Sequence, residues 1–357
     1  MFNPLFSITF HLNFNLEEIE RARYRVERTL IMPKHEQWLR REAFIRTAYS
    51  STMVEDGTIS EDELGEMARP SPAATIPKER PEIINYGRAL EFVDFLSDMS
   101  ETWEPTPMEA TIRQIHWLLM HTINDPKIKP GQYRREPNWI IDQGIRVYEP
   151  PSSIDVPLLM RDFSLWLQKE EKDLPPIIKA GVAHAHLVAI HPFVDGNGRT
   201  ARLLATLLLQ QSGFRFRKLF SLDAYYQRHR NEYIDALRES IGERYHEGYD
   251  STAWLQFFTE SVLIQAKNLE EKLTDWKIMV DKVHKSWKRF GLNDRQIDGL
   301  IYAVNRKYLT RKDYTEITGI SSVTASRDLA KLVEKGLLRP EGTGRNRRYI
   351  PVNITSK

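Results

Sequence analysis

The sequence predicts a mainly α-helical protein, and three observations carry that expectation. Apolar residues recur at three- and four-residue spacing over most of the chain, strand-forming residues gather in only two short places, and the composition is that of an ordinary globular protein. The 357 residues are 41% hydrophobic and 28% charged, enough for two or three domains with packed cores. No cysteine is present, which excludes disulfides, thiolate nucleophiles and cysteine-held zinc or iron–sulfur sites. Any metal must therefore be held by oxygen or imidazole ligands.

Taken in order, residues from about Leu16 to Ser50 read as helical. Gly57 and the cluster of Pro70, Pro72 and Pro77 then predict a loop. Pro81 to Met99 and Pro107 to Ile123 give two more helices. Between Pro130 and Val147, in PGQYRREPNWIIDQGIRV, the residues Tyr133, Trp139, Ile140, Ile141, Ile145 and Val147 lie among Pro, Asn and Gly, which predicts a hairpin. Helices resume from Pro157 to Gln168 and from Pro176 to Ile190, and ARLLATLLLQQ forms a further, largely buried one. From Val262 to Trp287, Leu269, Leu273, Trp276, Val280, Val283 and Trp287 mark one long helix. It either packs along the main domain or offers a short coiled-coil seam to a homodimer.

The amino terminus, MFNPLFSITFHLNF, lacks the basic segment and small-residue cleavage site of a signal peptide, and no apolar run is long enough to span a bilayer. A cytoplasmic protein with no membrane association is expected. The net charge is only +2, yet residues Gly291 to Lys357 hold 13 Lys or Arg against 7 Asp or Glu, which marks a separate basic C-terminal module.

The string HPFVDGNGRTAR, His191 to Arg202, joins two predicted helices. Gly196, Asn197 and Gly198 can adopt conformations closed to most residues, so that consecutive backbone N–H groups converge into an anion-binding nest. The following helix adds its positive dipole end, and Arg199 and Arg202, three residues apart, share one face and neutralise phosphate charge. Asp195 can hold Mg²⁺ together with substrate phosphates, and His191, with an ordinary pKa near neutrality, can take a proton from an attacking hydroxyl. A nucleoside triphosphate fits this set of groups. Phe193 is expected to point into the core and anchor the loop.

The same string resembles the signature of the Fic family, His-Pro-Phe-x-Asp/Glu-Gly-Asn-Gly-Arg-x-x-Arg, with every specified position present. KAGVAHAHLVAIHPF, GQYRREPNWI, VYEPPSSIDVPLLM and RHRNEYIDAL also look like Fic core segments, so the resemblance extends over roughly residues 1 to 245. It implies an all-helical enzyme that uses ATP and Mg²⁺ to transfer AMP to a hydroxyl of a protein. The acceptor would be a Ser, Thr or Tyr of a target or of the enzyme itself. Under it His191 is the general base, Asp195 the magnesium ligand, and Gly196, Asn197 and Gly198 the phosphate cradle. Arg199 pairs with the terminal phosphate and Arg202 supports the phosphates. The hairpin around Gln132, Tyr133 and Trp139 resembles the Fic flap, which holds a target segment by strand addition. Tyr233 falls in a segment that lines the adenine pocket in Fic proteins, and an aromatic at helical spacing equally suits the core.

Ser51-Thr52-Met53-Val54-Glu55 resembles the Ser/Thr-x-x-x-Glu-Gly/Asn element of class II Fic proteins, whose glutamate pairs with a signature arginine and denies it to the γ-phosphate. Glu55 and Arg199 would be that pair, with Ser51 the conserved-type hydroxyl one turn earlier. Asp56 departs from the pattern by standing where Gly or Asn is expected. The same glutamate could instead orient a water for removal of AMP.

At the C-terminal end, DRQIDGLIYAVN, TRKDYTEITG, SSVTASRDLAKLVEKG and LLRPEGTGRNRRYIPV read as three helices and a small hairpin, which resembles a winged helix–turn–helix. Its third helix would turn Ser322, Thr324, Ser326 and Arg327 toward a DNA groove, and its wing would turn Arg345, Arg347 and Arg348 toward phosphates. Such modules also dock proteins. The expected division is an N-terminal region with the inhibitory helix (1–100), a Fic core (101–250), a linker helix (251–290) and a winged helix domain (291–357). Two rival readings are a nucleotide-sensing, DNA-binding regulator and a metal hydrolase using His184, His186, His191 and Asp195. The helical spacing of the three histidines speaks against the second, and His184 and His116 are better read as core residues.

Overall fold

The computed structural model describes residues 2–29, 31, 33–56, 80–99, 108–142, 144–169, 174–288, 291–344 and 347–352. The loop expected from Gly57 to Pro77 and the wing residue Arg345 lie outside them. The described chain is mainly helical, with thirteen α-helices and five short strands. It forms a larger compact unit, containing residues up to Arg28 and from Arg40 to Glu270, and a smaller one containing 29–39 and the residues from Glu271 onward.

The stretch expected as helical forms two helices, α1 over Phe10–Arg28 and α2 over Pro33–Asp56. Pro33 is the first residue of α2, a position where the missing N–H costs nothing and the fixed φ suits a helix start. Helices α3 (Pro81–Asp98), α4 (Met108–Met120), α5 (Val156–Gln168) and α6 (Pro176–Ile190) follow. Between α4 and α5 a two-stranded hairpin pairs β1 (Ile140–Asp142) antiparallel with β2 (Ile145–Tyr148), Ile141 facing Arg146 and Asp142 facing Ile145. After α7 (Asn197–Gln211) come a single 3₁₀ turn, α8 (Leu222–Arg228), α9 (Arg230–Ile241) and α10 (Thr252–Lys288).

Helix α6 is the central rod, with Ile177 and Ile178 and every residue from Ala180 to Ile190 buried. Its small residues let neighbours come close: a Cβ at Gly181 would meet Leu255 Cδ2 at 2.7 Å, and the Gly181 carbonyl accepts from Trp254 Nε1 at 2.7 Å. Helix α7 packs alongside α6 and, through Leu203 and Leu207, joins a core formed with Tyr86, Ala89 and Val93 of α3 and Ile115 and Leu119 of α4. Ala48 and Tyr49 of α2 belong to that same core, which brings the end of α2 beside α7.

The smaller unit has its own core of Trp287, Ile297, Leu300, Ile301, Leu309, Tyr314, Leu329 and Leu332. Helices α11 (Asp294–Arg306), α12 (Arg311–Thr318) and α13 (Ser322–Glu334) are followed by β4 (Leu338–Glu341) and β5 (Arg348–Pro351), and β5 lies between β4 and the short β3 (Leu309–Thr310). Capping boxes at Asn293 and Thr310 start α11 and α12, and Gly319 in the left-handed region ends α12. The long helix α10 continues through the point at which the two units divide. Leu273 and Trp287 of its apolar stripe are buried within the chain, which favours packing over an open dimer seam at those positions. Among the described residues no helix is long and apolar enough to cross a membrane.

Burial fixes three imidazoles in their neutral form. His184 and His186 on α6 and His116 on α4 are at most 2% exposed, and desolvation pushes His116 down to about 4 and His186 to about 3. Their folded pKa values lie below the unfolded value of about 6.5. The unfolded chain therefore takes up protons that the folded chain excludes. The resulting stability is complete above pH 6.5 and is lost as pH falls toward the folded values, at about 1.4 kcal/mol per pH unit for each group. Urea unfolding at fixed ionic strength should give a clearly lower midpoint at pH 5 than at pH 7; equal midpoints would contradict neutral burial of these histidines.

Candidate active site

The His191–Arg202 string turns from the end of α6 into the start of α7, and its polar side chains are spent on fixing that turn. His191 caps α6 in the left-handed region, φ 50° and ψ 56°, with its N–H donating to Leu187 O at 3.0 Å. Gly196 is also left-handed, φ 75°, and a Cβ there would meet Met120 Sδ at 2.9 Å. Only glycine satisfies both demands. Asn197 and Gly198, expected to share this special geometry, are ordinary residues of the first helical turn. The nest thus comes from one glycine followed by a helix start, whose first N–H groups have no acceptor within the helix.

The Asn197 side chain staples the loop, accepting from Phe193 N–H at 2.9 Å and donating to Phe193 O at 2.9 Å. Phe193 is fully buried, as expected, and stacks on His116 with ring centroids 3.7 Å apart. Gly131 N–H donates to His116 Nδ1 at 2.9 Å, which leaves the proton on Nε2 to donate to Asp195 O at 3.0 Å. A core histidine, neutral by burial, therefore supports the carbonyl beside the nest.

A cavity of about 430 Å³ opens over this turn, lined by His191, Asp195, Gly196, Gly198, Arg199 and Arg202 on one part and by Val54 and Glu55 on another. Tyr233, Ile234, Leu237 and Ile241 of α9 supply an apolar part, and Trp139, Ile140 and Ile141 bring the hairpin to the rim. His191 Nδ1 lies 3.3 Å from Val188 O, so a proton on Nδ1 leaves Nε2 with its lone pair. Desolvation is the main cause that lowers its pKa to about 4, opposed by the Val188 carbonyl and Glu55 and assisted by Arg134.

Glu55 is the ionic centre of the cavity. Its Oε2 lies 2.6 Å from Arg199 Nε and its Oε1 3.2 Å from Arg202 Nη2, so one carboxylate bridges both signature arginines. Sequence reasoning expected the Arg199 pair alone. Ser51, one turn earlier on α2, accepts from Arg202 through its hydroxyl at 3.0 Å and its carbonyl at 2.9 Å. Gly198 leaves room for this contact, since a Cβ there would come within 2.8 Å of Glu55 Oε1. Asp56, the departure from the pattern, is the last residue of α2 and leaves the position of Glu55 intact.

Arg202 is held from below as well, by Asp223 at 2.8 Å, with both side chains 2% exposed. Burial weakens its charge, but Glu55, Tyr233 and Asp223 more than restore it, and its pKa stands above the ordinary arginine value. Asp223 accepts in addition from Tyr86 OH at 3.1 Å. Arg202 is thus committed to protein partners and reaches the cavity from its floor. Asp195 is half-exposed, with Oδ2 3.4 Å from Arg199 Nη2. Among the described residues no three His, Asp or Glu side chains converge on a metal position. Asp195 fits Mg²⁺ only as a single ligand beside nucleotide phosphates, the arrangement magnesium favours.

The flap expectation needs correction. Gln132 and Tyr133 lie before the hairpin, whose strands begin at Ile140. The Pro130 and Pro137 breaks keep this segment irregular. Tyr133 turns inward, donating to Glu109 at 2.9 Å beside the Phe193 ring, and anchors the loop. Trp139 alone of the three reaches the cavity, under the Arg146 guanidinium. The hydrolase reading also fails in geometry, since His186 Nδ1 pairs with Tyr249 OH at 2.8 Å and His184 Nε2 with Tyr233 OH at 3.2 Å. Tyr233 is 5% exposed and serves both core and cavity wall. Sequence reasoning missed Asp223, Arg134, Asn138 and Arg230; Arg230 Nε donates to Val54 O at 3.0 Å at the end of α2. Only the fold brings them to the site, and no local spacing marks them.

The Arg202–Asp223 pair yields a direct test. Asp223→Asn leaves a buried guanidinium short of a charge partner, and the chain should lose about 3–5 kcal/mol of stability by chemical denaturation. A loss under about 1 kcal/mol would mean that Glu55 and Ser51 suffice to hold Arg202.

With this geometry in hand, comparison with known proteins is informative. Residues 106–209 match the Fic/DOC family. A protein named protein adenylyltransferase Fic from Drosophila ananassae is 42% identical over 110 residues, 30% of this chain and 21% of that one. Its namesake from Drosophila grimshawi is 32% identical over 178 residues, 49% of this chain and 35% of that one. The chain therefore spans only between a fifth and about a third of the length of these curated relatives. A solved Fic family protein from Desulfovibrio desulfuricans G20 shares the fold over 100% of both chains, with a TM-score of 0.60 at 20% identity. Fic-1 from C. elegans does so over 75% of this chain and 73% of its own, with a TM-score of 0.53 at 23% identity. The helices α4 to α7, the hairpin and the loop that carries His191 all lie within or beside the segment that matches the Fic/DOC family.

Proposed function

We propose that this protein transfers AMP from ATP to a Ser, Thr or Tyr hydroxyl of a target protein, itself included, and that Glu55 restrains the reaction. The observation that carries the reading is the gathering in one cavity of a neutral His191, the glycine-led helix start and two arginines bridged by a displaceable carboxylate. His191 Nε2 takes the proton of the acceptor hydroxyl as its oxygen bonds the α-phosphorus and the bond to the β-phosphate oxygen breaks, releasing pyrophosphate. The helix start and Arg199 neutralise charge on the phosphates. Asp195 would hold Mg²⁺, which supplies further charge neutralisation when bound. The apolar stretch of Tyr233, Ile234, Leu237 and Ile241 suits an adenine ring. The edge of the hairpin, with Ile141 and Ile145 exposed, suits strand addition by a target segment.

The restraint follows from charge. While Glu55 occupies both guanidiniums, a terminal phosphate finds its cations already neutralised and meets a carboxylate instead. Glu55→Gly should raise transfer from α-labelled ATP by at least ~10-fold, and His191→Ala in that background should lower it by ~100-fold or more. Intact mass should show added AMP, and no label should come from the γ-phosphate. Label from the γ-phosphate would point to a kinase, and none from either phosphate in Glu55→Gly would overturn the transferase reading. Since His191 must be neutral and its pKa is near 4, the rate should stay level from pH 8 to about 5.5 and fall below that.

A second reading concerns the smaller unit, and the outward face of α13 favours it. Ser322, Ser326 and Arg327 are exposed there, while Thr324 is partly buried, and Arg347 and Arg348 lie exposed at the start of β5 over the Tyr349 and Tyr308 rings. These groups suit contact with duplex DNA. Binding should weaken with salt and disappear when Arg327, Arg347 and Arg348 become Ala. No binding at low salt would make the unit a protein-docking module.

A further inference from the structure

Arg134 is a buried guanidinium that forms no part of the cavity wall, yet it grips the backbone on which the site is built. It is 3% exposed, and its pKa is lowered by that burial. Nε donates to His191 O at 2.9 Å, and Nη2 lies 3.5 Å from Ile190 O. The same Nη2 donates to Pro151 O at 2.5 Å, while Nη1 donates to Glu136 O at 3.3 Å. Its own backbone N–H donates to Pro192 O at 2.9 Å.

These acceptors belong to two structures. Ile190 and His191 are the end of α6, where carbonyls have no helical donor and the dipole favours a cation. Glu136 and Pro151 stand just before β1 and just after β2, the two feet of the hairpin. His191 itself needs an anchor, because a left-handed residue without glycine is strained, and the following Pro192 disfavours that conformation further. Relaxing that backbone would move the ring.

We infer that Arg134 is a positioning residue that locks the strained His191 backbone and both feet of the β1–β2 hairpin into one unit, so that the base and the strand receiving the acceptor segment keep a fixed relation. The inference rests on the reading of His191 as the base. Rigid placement of reacting groups contributes much of the rate in such transfers, so a loose hairpin or ring loses turnover before it loses nucleotide affinity.

Arg134→Gln removes the charge and the fork, and Arg134→Lys keeps the charge and removes the fork. Both are made in the full chain carrying Glu55→Gly. Two readouts need no turnover: the His191 imidazole followed by NMR titration, and hydrogen exchange of residues 136–151. In Arg134→Gln the His191 pKa should rise by about one unit. In both variants hairpin exchange should quicken by ~10-fold. The kcat for α-phosphate transfer should fall by ~30-fold or more with the KM for ATP within about twofold. Arg134→Lys should leave the His191 titration near that of the parent, which keeps the test open should Arg134→Gln fail to fold. Unchanged hairpin exchange and kcat in Arg134→Lys would overturn the inference, as would a fall in kcat with both structural readouts unmoved. If no variant, parent included, transfers AMP, the reading of the reaction fails, while the titration and exchange data still decide whether Arg134 positions this site.

Discussion

The Glu55 carboxylate, set between two guanidiniums that stand three residues apart on α7, is the contact on which the rest of the site depends. Arg202 is also held by Asp223 and by Ser51, and Arg199 lines the cavity with Nη2 3.4 Å from the half-exposed Asp195. Removal of Glu55 leaves the contacts of Arg202 with Asp223 and Ser51 in place. The approach is close enough that a Cβ at residue 198 would come within 2.8 Å of Glu55 Oε1 and displace it, and Arg230 secures the carbonyl of Val54 next to the glutamate. The position of the last turn of α2 thus decides the charge that an entering phosphate meets.

Around that ionic centre the loop is tied by contacts to backbone atoms. Asn197 closes on both polar groups of Phe193, His116 reaches from Gly131 to the Asp195 carbonyl, Asn138 donates to Val194 O, and Arg134 collects carbonyls from α6 and the hairpin. Asn197, His116 and Arg134 are buried polar groups that would be costly to leave unsatisfied, so the loop has little freedom to relax. The cavity wall formed by His191 and the α7 helix start is accordingly preformed. The Glu55 carboxylate reaches it from another helix, α2.

Much of this was legible in the sequence because the chemistry is local there. A twelve-residue string supplied His191, the glycine turn and the arginines, and helical periodicity located α3 to α7 and α11 to α13. The Ser51–Glu55 spacing put both residues on one face of a helix, where both meet Arg202. What stayed hidden depended on long-range placement. Asp223 and Arg134 are unremarkable in their own segments, and only the packing of α2, α7 and α8 and of the hairpin against α6 gives them their partners. Local rules also misled: the β-forming residues around Tyr133 suggested strand, but two prolines and a buried arginine kept that segment irregular and moved the hairpin to Ile140–Tyr148. Asn197 was expected to serve the nest through its conformation, and it serves through its amide side chain.

The central claim is that Glu55 withholds cationic charge from the terminal phosphate of a bound nucleotide. The most direct measurement is calorimetric binding of AMP, ADP and ATP, with Mg²⁺, to the native chain and to Glu55→Gly. The account predicts that the native chain gains little affinity from AMP to ATP, while Glu55→Gly binds ATP at least ~10-fold more tightly than AMP. The same ratio of ATP to AMP affinity in both proteins would contradict it.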